Sequence, residues 1–240
     1  MSARRGWTLA KRRVVALAVV TAAGAVAPHC TTAPPRPAAT PPPSRATSAT
    51  PPPAPPPAAV HAVTAAELGA SWQPDCPVEP GQLRRVEVNH IGMDGQTHRG
   101  ELIVNEELVA EVTAVFEQLY QQRFPIEKVR TVDHYRAAAD ELSMEDNNTS
   151  AFNCRRIEGS DDWSLHAYGR AIDLNPLLNP SVHASGTFEP KNAVAYLDRS
   201  RTDPGVLHDG DPATRVFTDR GWRWGGYWKS PIDYQHFERP

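Results

Sequence analysis

The stretch SLHAYGRAIDLNP, residues 164–176, decides how the rest of the chain is read. It sets His166 and Asp173 seven positions apart, with mostly small residues between them. Ala171-Ile172-Asp173-Leu174 has the compact apolar composition of a strand. An imidazole and a carboxylate placed this way are either hydrogen-bonded core groups or two ligands of a metal. A third ligand candidate stands in the chain's last segment, DYQHFERP, where His236 follows Asp233 by three residues in an aromatic context. A catalytic zinc site takes three protein ligands and keeps a fourth position for water. His166, Asp173 and His236 make such a set. Two neutral imidazoles and one carboxylate leave a dication with a net charge of about +1, and residual positive charge pulls the pKa of water toward about 7. Asp233 is placed to take that proton if the chain around His236 turns back toward the metal. The remaining histidines, His61, His90, His98, His134, His183 and His208, show no paired spacing and read as surface or core residues.

Outward from this stretch the pattern is mixed. RRVEVNH, 84–90, alternates as a strand does, and THRGELIVN, 97–105, reads as its returning partner across a turn with a D-G pair at Asp94-Gly95. Asn105 is placed to cap a helix, with Glu106 and Glu107 in its first turn. Leu108, Val112, Val115, Phe116 and Leu119 then fall on one helical face, and Pro125 lies beyond its end. A strand is expected around Ile126–Val132, a loop over the polar run 140–150, and a short strand over Ala151–Arg155. Residues 176–212 read as a long irregular excursion, a helix follows from Pro212 to about Arg220, and a last strand spans Tyr234–Phe237. Strands and helices do not alternate regularly, so the fold class is α+β. Gly225 and Gly226 are expected to let the chain pass close to the site.

The first 30 residues differ in kind. Arg4, Arg5, Lys11, Arg12 and Arg13 precede an apolar run from Val14 to Ala27. That run is short of the roughly 20 residues a spanning helix needs, and reads as an export signal. An uncleaved membrane anchor is the alternative, and Cys30 leaves lipidation open. Residues 31–60 are almost all Pro, Ala, Thr and Ser. Proline removes backbone donors and the segment offers no apolar surface, so a disordered stalk is expected. Residues 61–240 remain as one domain of ordinary size. The formal net charge of the whole chain is −3, with basic residues concentrated in the first 13. The domain therefore lacks the basic face that nucleic-acid binding requires. Its cysteines are Cys76 and Cys154. In an oxidising compartment two thiols pair, and they lack the C-x-x-C spacing of a metal site, so a disulfide is expected.

The pattern S-x-H-x-x-G-x-A-x-D, here Ser164, His166, Gly169, Ala171 and Asp173, resembles the signature of the zinc D-alanyl-D-alanine carboxypeptidases, a family that includes vancomycin-resistance carboxypeptidases and phage L-alanyl-D-glutamate endopeptidases. Asp233-Tyr234-Gln235-His236-Phe237 resembles its last ligand segment, GWRWGGYW (221–228) the tryptophan–glycine segment before it, and NNTSAFNCR (147–155) an arginine-bearing segment upstream. The likeness extends over about residues 84–240. It implies a small α+β domain around a central antiparallel sheet, with Zn2+ on His166, Asp173 and His236 and with Asp233 as general base, where many members have glutamate. It also implies an arginine that stabilises the oxyanion. Arg155 is favoured over Arg156, because neighbours in a strand face opposite sides; Arg136 is a further candidate. Ser164, Tyr168 and Trp224 are expected on the substrate side. For Ser164 a turn cap is the alternative, and for Trp222, Trp224 and Trp228 the core. The implied substrate is a stem peptide of peptidoglycan, cut by a monomeric exported enzyme as a D-Ala-D-Ala carboxypeptidase or an L-Ala-D-Glu endopeptidase. A non-catalytic zinc-containing wall-binding module is the alternative.

Overall fold

The computed structural model describes residues 55–240. The export signal expected over residues 1–30, Cys30 and most of the proline-rich stretch lie outside the described residues. Contacts to the domain are made ahead of residue 61: the Pro56 carbonyl accepts from Asn89 Nδ2 at 2.7 Å and from Arg99 Nη1 at 3.0 Å. Ala59–Ala62 then forms strand β1. Pro57 is the last proline of the run, and the residues after it regain the amide donors a sheet edge needs.

A hairpin carries the fold. β2 (Leu83–Ile91) pairs antiparallel with β3 (Thr97–Asn105) in a register running from Leu83↔Asn105 to Ile91↔Thr97, and β1 adds on the free edge of β2. The Thr64–Glu67 capping box opens the short helix α1 (Ala65–Leu68) that follows β1. Asn105 caps the next helical segment as expected, its Oδ1 accepting from Glu107 N at 3.1 Å. One 3₁₀ turn then leads into α2 (Val109–Gln121). Val112, Val115, Phe116 and Leu119 of α2 pack on Val86, Val88, Leu102 and Val104 of the hairpin. Ile103, pointing the other way, packs with Val63, Leu68, Val78, Leu83 and Phe152 in a second cluster. Burial on both faces explains the unbroken apolar run Leu102-Ile103-Val104. Each fully buried aliphatic side chain of this kind contributes about 1.5–3 kcal/mol.

The second half is built from short elements. β4 (Lys128–Val129) pairs parallel with β5 (Asn148–Thr149). The loop expected over 140–150 is instead helix α3 (Asp140–Glu145) followed by β5. Only Ser143 and Met144 of that helix are buried, so no apolar periodicity announced it. The strand expected over Ala151–Arg155 does not form: Arg155 N bonds the Asn153 carbonyl at 2.9 Å, which folds the chain into a tight turn there. Next come β6 (Ala171–Asp173), β7 (Ser181–Val182), β8 (Phe188–Glu189), helix α4 (Pro212–Thr218), β9 (Arg223–Trp224), β10 (Ile232–Asp233) and β11 (His236–Glu238). They make two more antiparallel sheets, ordered β6-β11-β9 and β10-β7-β8. The architecture is α+β, with its antiparallel strands divided among three small sheets.

Phe237 of β11 stacks on Phe217 of α4 at a centroid distance of 4.0 Å, which joins the β6-β11-β9 sheet to the main core. Cys76 and Cys154 form a disulfide that spans 78 residues and ties the segment ahead of β2 to the irregular stretch before the site. Closing a loop that long contributes about 4–5 kcal/mol in the chain-entropy description. Among the described residues no helix is long and apolar enough to cross a membrane.

Candidate active site

The motif at 164–173 is a turn followed by a strand. Ser164 caps a 3₁₀ turn over Leu165–Tyr168, its Oγ accepting from His166 N at 3.3 Å. Gly169 ends the turn at φ 66°, where a side chain would be strained, and a Cβ there would lie 2.6 Å from Asn105 N. That close approach seats the turn on the end of β3 and holds His166 beside β6. Asp173 is the last residue of β6, and its direct antiparallel partner on β11 is His236. Cross-strand partners project to one face, so two residues 63 positions apart are brought together by sheet register alone.

The three side chains converge. His166 Nε2 lies 3.0 Å from Asp173 Oδ2 and 3.1 Å from His236 Nδ1, and His236 Nδ1 lies 2.9 Å from Asp173 Oδ1. All three residues are buried, at 2%, 3% and 7% relative exposure. The nitrogens pointing away are also engaged: His166 Nδ1 meets the Ala151 carbonyl, and His236 Nε2 lies 3.4 Å from Glu238 Oε2. Burial alone would favour neutral Asp173, yet the two imidazoles hold its carboxyl well below the usual carboxylate range. Burial opposes the imidazolium of His236, but hydrogen bonds to Asp173 and Glu238 push it up to about 10.

Asp233 and Arg155 complete the site. Asp233 lies on β10, and its Oδ1 is buried without a hydrogen-bond partner. Burial raises its pKa to about 6; His236, Arg155 and His166 pull it down and Asp173 pushes it up. Gly225 is what allows the approach: a Cβ there would meet Asp233 O at 2.6 Å and Asp233 Cβ at 2.8 Å. Arg155 Nε lies 2.9 Å from Asp140 Oδ2, but out of line for a hydrogen bond, so it too has no bonded partner. Burial works against the charge of Arg155, and the carboxylates of Asp140, Asp173, Asp233 and Glu189 more than offset it. Arg156 points away, exposed, with its guanidinium 4.1 Å from the Trp163 ring. Arg136 lies in a separate 3₁₀ turn over Arg136–Ala138 and pairs with no member of the site.

The three residues expected on the substrate side are engaged in packing or capping. Trp224 is 3% exposed, gives its indole N–H to the Tyr234 carbonyl at 2.9 Å, and packs on Phe237; it is core. Trp222 is core as well. Tyr168 packs against the second apolar cluster, beside Trp72 and Cys154. Ser164 is buried and occupied as the turn cap. The tryptophan that does border the site is Trp228, whose ring lies 5.2 Å from that of His236. Asp140 and Glu238 were not anticipated. The first offers no local signal; the second stands at i+2 from His236, which puts both on one face of a strand.

The donor set suits a divalent ion. Two imidazoles and a carboxylate present ligand atoms within 4.8 Å of one another. Both histidines are oriented from behind by an acceptor, as metal-binding histidines are, and an unpartnered carboxylate oxygen stands ready nearby. A second group, Glu158, His183 and Glu189, also meets the 4.8 Å condition, but it is exposed to half-buried.

Residues 158–239 match the family model described as D-alanyl-D-alanine carboxypeptidase. This segment is similar to that peptidase family. It holds the three converging ligands and Asp233, and begins just after Arg155. No curated protein and no solved structure matches the chain. The match supports a peptidoglycan-related peptidase function in general, as the motif at 164–173 implied.

Proposed function

We propose that the domain hydrolyses a peptide bond of the peptidoglycan stem peptide, either terminal D-Ala-D-Ala or internal L-Ala-D-Glu, with Zn2+ held by His166, Asp173 and His236. The observation that carries this reading is the buried convergence of two imidazoles and a carboxylate beside a carboxylate whose Oδ1 has no other partner. When bound, the ion supplies Lewis acidity and lowers the pKa of water.

The chain's own groups supply the rest. Asp233 takes a proton from the attacking water and later gives it to the leaving amine. A carboxyl group raised to about 6 suits both roles near neutral pH. Arg155 sets positive charge against the oxyanion that develops on the scissile carbonyl. Its side chain is 34% exposed, which leaves it open to a bound carbonyl. Trp228 narrows the approach beside His236 and keeps water from one side. We further propose that the enzyme is exported, acts as a monomer in the cell envelope, and is carried or tethered by the segment ahead of residue 55; the disulfide and the proline-rich composition support this.

The test is digestion of purified peptidoglycan by the full chain, with fragments identified by mass spectrometry in the presence and absence of a chelator. Loss of a terminal D-Ala and release of internal fragments distinguish the two bonds. Asp233→Asn is expected to retain Zn2+ and lose about 10²–10⁴-fold in turnover. Turnover at the wild-type rate would exclude Asp233 as the base, and chelator-resistant cleavage would exclude the metal reading.

A further inference from the structure

The residue behind His236 carries an inference that rests on the metal reading above. Glu238 is 9% exposed, and both of its oxygens are committed. Oε1 receives Arg223 Nη2 at 2.6 Å, and Oε2 lies 3.4 Å from His236 Nε2. The sheet register sets this up. Glu238 is two residues past His236 on β11, so both side chains leave the same face. Its cross-strand partners are Arg223 on β9 and Ala171 on β6. Arg223 anchors the carboxylate from one side, and the small Ala171 side chain leaves it room on the other.

We propose that Glu238, anchored by Arg223, is a positioning residue that fixes the tautomer of His236. A carboxylate accepts and cannot donate. It therefore holds the ring proton on Nε2 and leaves the Nδ1 lone pair facing His166 Nε2 and Asp173. The same contact sets the tilt of the ring and raises the basicity of Nδ1. His166 has a corresponding arrangement in which a backbone carbonyl, that of Ala151, accepts from Nδ1 and frees Nε2. The two histidines thus present opposite nitrogens to one point, each because a different acceptor holds the other nitrogen. Glu238 touches neither substrate nor ion; it acts through His236.

A competition titration with Zn2+ alone against a chromophoric chelator, on the full chain at fixed pH, tests this. Glu238→Ala is expected to weaken Zn2+ binding about 10–100-fold. Glu238→Gln keeps the volume, but Arg223 claims its amide oxygen and turns the NH2 toward Nε2, so the same loss is expected. In a His236→Ala background, Glu238→Ala should cost less than about threefold, because a residue that acts only through His236 has nothing left to act on. Thermal unfolding of the metal-free variants reports folding separately. Wild-type affinity in both single variants, or an undiminished loss in the double variant, would overturn the assignment. If the wild-type chain itself bound no Zn2+, or bound it equally well as His166→Ala, the metal reading would fall instead.

Discussion

Among the described residues two groups of three His, Asp or Glu side chains could each hold a metal ion, and they are built in opposite ways. His166, Asp173 and His236 are buried. A glycine-ended turn and a directly paired strand residue position them. Each imidazole is held from behind. Glu158, His183 and Glu189 satisfy the same distance condition. Glu158, however, is exposed in a loop, His183 follows the last residue of β7, and Glu189 is half-buried on β8. Among the described residues none of these three side chains has a hydrogen-bond partner. Their charges also compare poorly. In the first group the imidazoles hold Asp173 far on the charged side. In the second, burial together with the carboxylates of Glu158 and Glu141 raises the pKa of Glu189. Proximity is common to both; orientation fixed by outer contacts belongs to the first alone, and that is what lowers the cost of gathering ligands.

The largest effect that can break this comparison lies at its centre. Asp173→Asn replaces the one anionic ligand with an amide between two imidazoles. Zn2+ affinity is expected to fall by on the order of 10³-fold or more, beyond the 10–100-fold of an outer partner, and peptide hydrolysis to vanish. A dye-competition titration checks the first and fragment analysis the second. Retention of wild-type affinity would mean that the buried trio is a hydrogen-bonded core cluster and nothing more.

A smaller effect sharpens the comparison through the sheet that spans both groups. In β10-β7-β8 the residue Ser181 faces Asp233 on one side and Glu189 on the other. In the proposed mechanism Asp233 serves the first group, and Glu189 belongs to the second. Gly225→Ala would press a methyl against the backbone and Cβ of Asp233. A displacement near 1 Å in a reacting group costs on the order of 10²-fold in rate. Turnover should therefore fall by roughly 10–100-fold, while Zn2+ affinity stays within about threefold, since none of the three proposed ligands lies on β10 itself. Equal losses in affinity and turnover would show that Asp233 is not separable from the ligand set.

The same contrast marks what the sequence made legible. The 83–105 hairpin and helix α2 announce themselves because their apolar residues repeat at the local periods of strand and helix, and Asn105 caps where expected. Helix α3 reads as a loop because its sequence is polar and it buries only Ser143 and Met144. The spacing of His166 and Asp173 can be seen directly, since one turn and one strand separate them. Their meeting with His236 depends on pairing β6 with β11, which no local pattern specifies. Trp224 was expected against substrate because aromatic side chains serve cores and clefts alike, and only burial tells them apart. Glu238 was within reach of the alternation rule, whereas the Ala151 carbonyl behind His166 is backbone and carries no residue-type signal.

The smallest expected effect tests the comparison from the side of the second group. If distance were sufficient for a site, the wild-type chain would take up two Zn2+ ions, and His183→Ala or Glu189→Gln would remove one. Binding there would have to order the exposed Glu158 side chain and fix an imidazole that nothing holds from behind. Ordering a long, rotamer-rich side chain costs up to about 2 kcal/mol, and the loss of outer support a further factor of 10–100. One tight ion per chain is therefore expected by calorimetric titration. Its affinity in His183→Ala and in Glu189→Gln should stay within about twofold of wild type, as for substitutions that share no partner with the buried trio. Two equivalent ions in the wild-type titration, falling to one in either variant, would show that converging donors suffice without outer contacts.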